Sequence, residues 1–397
     1  MKALTKISIG FLALVAVALW FTSCSSEDVT SGTNQGNQES ILLLSFNTGN
    51  MGTRSTTGLT DGEKTINDMT IGIYSSDGKK LRTVQTLTKA TSASEATAGS
   101  KMFYIDGSGN AVAKIVTKAA LTEGDQVLVA ANTGSADFSK QGTADGFKSV
   151  EIDATTALTG AVDGSILTAA KLPKFGTSSG KLQVSSNKSE FYASDIKLKN
   201  LVSKITLQSI SVGFASDGPY ASASFEPEEM YLVSVPNKMQ FSETAWTNNP
   251  DSYFSGTDKG FLKVTLSTPS GEGVSKVLTA SNKIFTGTAT DVLYTIPNSN
   301  TEANKTVLVI KGQFSGETVY YKLPLNVAGY NADGTPNGAV AEGTTAFQIP
   351  SGKNIKCNIT IKTIGSTNPD AESGPLTATL TVTVDPWDDL DQTTTFE

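Results

Sequence analysis

Apolar and polar residues alternate with period two along most of this chain, most regularly near its C-terminus. There Leu376, Ala378, Leu380, Val382 and Val384 alternate with Thr377, Thr379, Thr381 and Thr383. Successive strand side chains point to opposite faces, so the segment predicts a strand with one apolar and one threonine face. Pro386-Trp387 breaks it, and 393–396 has the composition of a second, shorter strand. The same alternation over 355–361 sets Cys357 on a face with three isoleucines, as a small buried hydrophobe. Further short strands are predicted over 263–266, 307–310 and 320–325. In the first half, 69–74 runs into the turn Ser76-Asp77-Gly78, and 126–132 is a continuous apolar run suited to the middle of a sheet. The stretch 196–214 reads as a long strand whose parity shifts at a bulge. Ile41-Leu42-Leu43-Leu44-Ser45-Phe46 is apolar on both faces and bounded by turn formers, which suits a short strand covered on both sides. Only 153–171 leans towards helix, and its glycines limit that to a short one. Many short strands with turn clusters between them predict an all-β chain built of sandwiches.

The N-terminus follows another logic. Lys2 and Lys6 precede a nearly uncharged apolar run over 7–21, and Cys24 stands directly behind it. This is the pattern of a signal peptide. A cysteine there, followed by the polar stretch 25–40, reads as a bacterial lipoprotein signal. Cys24 would be lipidated and become the first residue after cleavage, holding the protein to a membrane by acyl chains rather than a spanning helix. The competing reading is an ordinary secretory signal with an incidental cysteine. With Cys24 acylated, Cys357 has no partner for a disulfide within the chain.

Composition then removes several function classes. The 397 residues include 38 acidic and 31 basic ones and no histidine. The commonest general base and the commonest zinc ligand are therefore both missing. Gly176-Thr177-Ser178-Ser179-Gly180 has the G-x-S-x-G spacing of serine hydrolases, but that motif needs a partner histidine and a strand-turn-helix elbow. A surface turn is expected instead. Asn331, Asp333, Thr335 and Glu342 are loosely spaced like a calcium loop, yet Pro336 stands where the sharp turn needs glycine, so a hairpin loop is expected. Asp385, Asp388, Asp389 and Asp391 around Trp387 read as solvated charges. Neither an enzyme, a metal site nor a cofactor is expected. With no basic patch interleaved with aromatics, nucleic acid is not an expected partner.

Five features together resemble the fimbrillins, the major fimbrial subunits of Bacteroidetes-type bacteria. They are the signal ending at Cys24; the strand Ile41 to Phe46 followed by Met51-Gly52-Thr53-Arg54; Val127-Leu128-Val129-Ala130-Ala131-Asn132; Asn354-Ile355-Lys356-Cys357-Asn358-Ile359-Thr360; and the tail from Ala378 through Pro386-Trp387 to Asp391-Gln392. The resemblance implies two transthyretin-like β-sandwich domains, 55–195 and 196–397, behind a signal peptide 1–23 and a propeptide 24–54. It implies an outer-membrane lipoprotein precursor that a trypsin-like, arginine-specific protease cuts between Arg54 and Ser55. That cut would remove the lipid and the strand carrying Ile41, Leu42, Leu43, Leu44 and Phe46. The vacated groove would take the donor strand of another copy, with Leu376, Ala378, Leu380, Val382 and Val384, and a surface fimbrium supporting adhesion would grow. Implied partners are further copies of the chain, accessory fimbrial subunits, and host or bacterial surface receptors. Independently of the resemblance, Arg54 is the one arginine or lysine between Lys6 and Lys64. Competing readings are a fimbrial anchor or tip subunit, and a glycan-binding surface lipoprotein that never polymerises. The latter would want an exposed aromatic platform, and the chain has three tryptophans, one of them in the signal.

Overall fold

The alternating pattern becomes strand almost throughout a computed structural model of the chain. It describes residues 40–47 and 59–386 except 108–109, 135, 156–166, 179–181, 185–189, 194–195, 243–252, 268–274, 302, 332–334, 372 and 374–376, with backbone alone at 45–47 and 386. The first-half strands are β1 (Ser40–Asn47), β2 (Asp68–Tyr74), β3 (Leu81–Lys89), β4 (Met102–Ile105), β5 (Asn110–Thr117), β6 (Gln126–Ala131), β7 (Glu151–Asp153), β8 (Lys174–Thr177), β9 (Gln183–Val184), β10 (Glu190–Ala193) and β11 (Lys199–Asn200). Two short helices accompany them, α1 (Asp61–Lys64) and α2 (Ala144–Lys148).

All of these strands except β7 join in one sheet, in the order β11-β8-β6-β2-β3-β4-β5-β1-β10-β9. β3 and β4, at its middle, are joined only by Thr88↔Met102 and Lys89↔Phe103. The five strands on either side contribute to a common core, Ile71, Ile73, Val127 and Val129 from one and Leu42, Leu44, Phe103 and Ile115 from the other. β2 and β6 are buried along nearly their whole length. Phe147 of α2 lies against Tyr74 and Phe138, and Phe138 meets Phe241. This aromatic cover explains why the sequence over 126–132 is continuously apolar.

The second half holds β12 (Ser203–Val212), β13 (Phe225–Val233), β14 (Val235–Pro236), β15 (Lys238–Gln240), β16 (Tyr253–Phe254), β17 (Lys263–Thr265), β18 (Ile284–Thr286), β19 (Val292–Thr295), β20 (Val307–Phe314), β21 (Glu317–Pro324), β22 (Lys353–Ile361) and β23 (Ala378–Pro386). A sheet ordered β18-β12-β22-β23, with β19 also on β12, is accompanied by a four-stranded sheet β17-β13-β20-β21. Both feed the core, through Ile205, Ile355 and Cys357 from the first and Phe225, Ile310 and Tyr321 from the second. β12 runs parallel to β22 and its register slips between Leu207 and Ser209, the expected bulge. Cys357 is fully buried among Ile355, Ile359 and Ile361, and burial pushes its thiol up to about 12.

Some expectations change. The long strand over 196–214 divides into β11 and β12, because Leu201 and Val202 turn inward and are themselves completely buried. Within 153–171 the described helical structure is a single 3-10 turn at Ala169–Lys171. Gly176 and Thr177 are strand rather than surface turn. A Cβ on Gly176 would come within 2.3 Å of the Lys197 carbonyl oxygen, so glycine is there for close backbone approach. Asp385 is not simply solvated: it pairs with Lys356 Nζ at 2.5 Å.

The chain leaves the first sheet after Asn200 and enters the second-half sheet at Ser203. The antiparallel pair β7–β15 ties the halves again, with Met239 opposite Ile152. The described residues from Ser40 to Pro386 belong to one compact unit.

Candidate functional site

β1 is not peripheral. It lies between β5, to which it runs antiparallel, and β10, to which it runs parallel. Leu42 sits opposite Ile115 and Phe191, and Leu44 opposite Ala113 and Ala193. Opposed residues share a face of the sheet, and all six are buried there. Burying Leu42 and Leu44 contributes about 3–6 kcal/mol as an upper figure. Ile41 and Leu43 point the other way and are only partly buried, in a row with Lys114, Val116, Glu190 and Tyr192. The strand is therefore covered fully on one face and partially on the other, rather than equally on both. Phe46 pairs through its backbone with Ala111.

The walls of this groove are the part that sequence reasoning missed. β5 does alternate, with Ala111, Ala113, Ile115 and Thr117 inward, but two alanines make a weak apolar signal. β10 is four residues long, and only Phe191 stands out. Taking β1 away would bare the hydrogen-bonding edges of both strands over a floor of Ile115, Ala113, Phe191 and Ala193. An open edge of that kind is a template for another strand.

The return from β1 is firmly seated. Leu59 and Ile66 are buried, and between them Thr60 and Glu63 form a capping box at α1. The Glu63 carboxylate is fully buried; its Oε1 takes a hydrogen bond from the Tyr294 hydroxyl at 2.7 Å and lies 2.8 Å from Lys204 Nζ. Burial, then the Glu63 charge, push the Tyr294 phenol upward. The chain just after 48–58 is thus pinned across the boundary between the halves.

β23 is the counterpart at the other end of the chain. It pairs antiparallel with β22 from Lys353↔Pro386 to Ile361↔Ala378. No strand among the described residues pairs with its other edge. Ala378 and Val382 are buried, Leu380 and Val384 pack on the core partly covered, and Thr381 and Thr383 are exposed. The apolar face thus serves its own sandwich in this state. Cys24, Arg54, Ser55 and Leu376, like Trp387 and 393–396, lie outside the described residues, as does the side chain of Phe46.

No protein-family model matches the chain, and no curated protein matches it significantly. Its fold does recur in solved structures. A candidate cell adhesion protein from Parabacteroides distasonis aligns with a TM-score of 0.55 and 14% identity, covering 86% of this chain and 96% of that one. One from Bacteroides eggerthii gives 0.54 and 16%, covering 90% and 98%. A fimbrilin from Porphyromonas gingivalis gives 0.50 and 14%, covering 87% and 97%. At such identities the likeness is one of fold, and function has to be argued from the site.

Proposed function

We propose that this chain is a structural subunit of a cell-surface fimbrium supporting adhesion. It is exported as a lipoprotein through Cys24 and cut between Arg54 and Ser55. It polymerises when the tail strand of another copy, with Leu376, Ala378, Leu380, Val382 and Val384, fills the groove left by β1. The observation that carries this reading is the place of β1. It is a middle strand that buries Leu42 and Leu44, yet its covalent link to the strands that flank it runs through 48–58, and that stretch contains Arg54. A cut there converts a covalent element into a ligand that can leave. Main-chain bonds to β5 and β10 would then supply affinity for an incoming strand, and the pockets of Leu42 and Leu44 its register. The fold shared with adhesion and fimbrial proteins supports the same reading.

N-terminal sequencing of material sheared from the cell surface tests it. The expected first residue is Ser55, in a species that runs as a polymer. Sheared polymer beginning at Cys24 would overturn the role of cleavage.

A second reading has its own support in the nine-residue pairing of β23 with β22 and the burial of Val382. Under it β23 never leaves its sandwich, and the chain is an anchor subunit or a surface lipoprotein that does not polymerise.

A further inference from the structure

Two buried side chains with unmet needs face each other across β8 and β11. Lys174, the first residue of β8, is directly opposite Asn200, the last of β11, in an antiparallel pair. Both are buried, Lys174 at 0% exposure and Asn200 at 4%. Lys174 Nζ donates to Asn200 Oδ1 at 2.8 Å and to the Leu172 carbonyl at 3.2 Å, both neutral acceptors. Buried lysines ordinarily need an opposite charge in contact. Asn200 Nδ2 is itself buried without a hydrogen-bond partner, which normally carries a penalty. β8 also lies close against the stretch leading into β11, as Gly176 against the Lys197 carbonyl indicates.

We propose that Lys174 and Asn200 become joined by an amide bond between Nζ and Cγ. The neutral amine attacks the side-chain carbonyl carbon, the new C–N bond forms, and the Cγ–Nδ2 bond breaks. One proton passes from Nζ to Nδ2, which leaves as ammonia. The reaction needs no oxidant and no co-reactant. Turning the Asn200 amide about its soft terminal torsion presents Cγ to the amine lone pair. Burial supplies that lone pair near neutral pH: it pulls Lys174 down to about 7, against a smaller upward pull from Glu63. Glu63 acts on Lys174 through its charge alone, since its own oxygens are held by Tyr294, Lys204 and the Thr60 N–H. The product removes both anomalies at once, the buried amine and the orphan amide nitrogen.

The bond would close a covalent loop over 174–200, which contains β9 and β10. β10 is one wall of the groove, and once β1 is gone its remaining strand partner is the two-residue β9. A closed loop restricts how far that wall can stray, as a disulfide would. The inference does not depend on polymerisation, because the bond is read directly in the uncut chain.

Trypsin does not cut after an acylated lysine. Digestion of the purified full-length protein should therefore give one branched species, joining peptides 172–181 and 200–204 and lighter than their sum by one ammonia. Lys174→Met and Asn200→Ala should each return the linear peptide 200–204 or its variant. Wild-type protein cut cleanly after Lys174, with 200–204 free, would overturn the bond itself.

Discussion

Leu43 and Leu44 are neighbours with the same side chain and opposite surroundings. Leu44 is 1% exposed on the core face, whereas Leu43 is partly exposed beside Lys114 and Tyr192. Leu44→Ala in the uncut chain should cost about 2–5 kcal/mol, the range for a buried leucine, and Leu43→Ala clearly less. Denaturant unfolding of the two variants checks this; equal losses would mean that β1 is seated in a different register. The run Ile41 to Phe46 did not disclose this asymmetry, because an unbroken apolar stretch carries no parity. Cys357, by contrast, was legible, since strict alternation fixed its face. Its thiol is pushed from the ordinary 9 up to about 12 by burial. The unfolded chain therefore loses that proton first. Stability is intact below about 9 and falls as pH rises towards 12, by up to about 1.4 kcal/mol per unit from this group. Cys357→Ala should flatten that part of the alkaline fall in pH-dependent unfolding. Alkylation of the native thiol at pH 8 should be negligible until the protein unfolds.

At the scale of elements, alternation identifies a strand and its inward face but not its neighbours. The tail was readable as a strand over 376–384, which overlaps the observed β23 (Ala378–Pro386), while its pairing with β22 was not. The same limit hid β5 and β10, whose small or few apolar residues leave little pattern although they flank β1. The pairing gives a direct way to ask whether β23 moves. Asn358 and Thr381 are opposite each other, at a separation within reach of a disulfide. A chain carrying Asn358→Cys and Thr381→Cys, oxidised, should be cut normally yet fail to extend a fibre, and reduction should restore extension, as scored by electron microscopy. Extension by the oxidised form would mean that β23 is not the donor. α1 was missed for another reason, although the Thr60-x-x-Glu63 spacing of its capping box stands in the sequence. Four residues are too few for helical periodicity, and its place is set by the contacts of Glu63 with Lys204 and Tyr294, which are far away in sequence.

For the whole molecule, the class of fold was legible, because short alternating strands with turns between them admit few other arrangements. The ten-strand sheet was not, since its order depends on non-local pairing. Arg54→Ala is expected to hold the molecule in its uncut form, with β1 still between β5 and β10. Such protein should stay monomeric by light scattering under conditions in which the cut chain forms high-mass species. High-mass species from the uncut variant would separate assembly from cleavage. The fixed course of β1, parallel to one neighbour and antiparallel to the other, carries one more consequence. The groove and the tail are different surfaces of one molecule, so a contact between them has a giver and a receiver and no twofold axis. Units joined in the proposed way would all face one direction, and a filament of them would have two unlike ends. One end would present an unfilled groove and the other an unused tail, so growth and termination would be separate chemical problems, each needing a molecule of a different design to finish it.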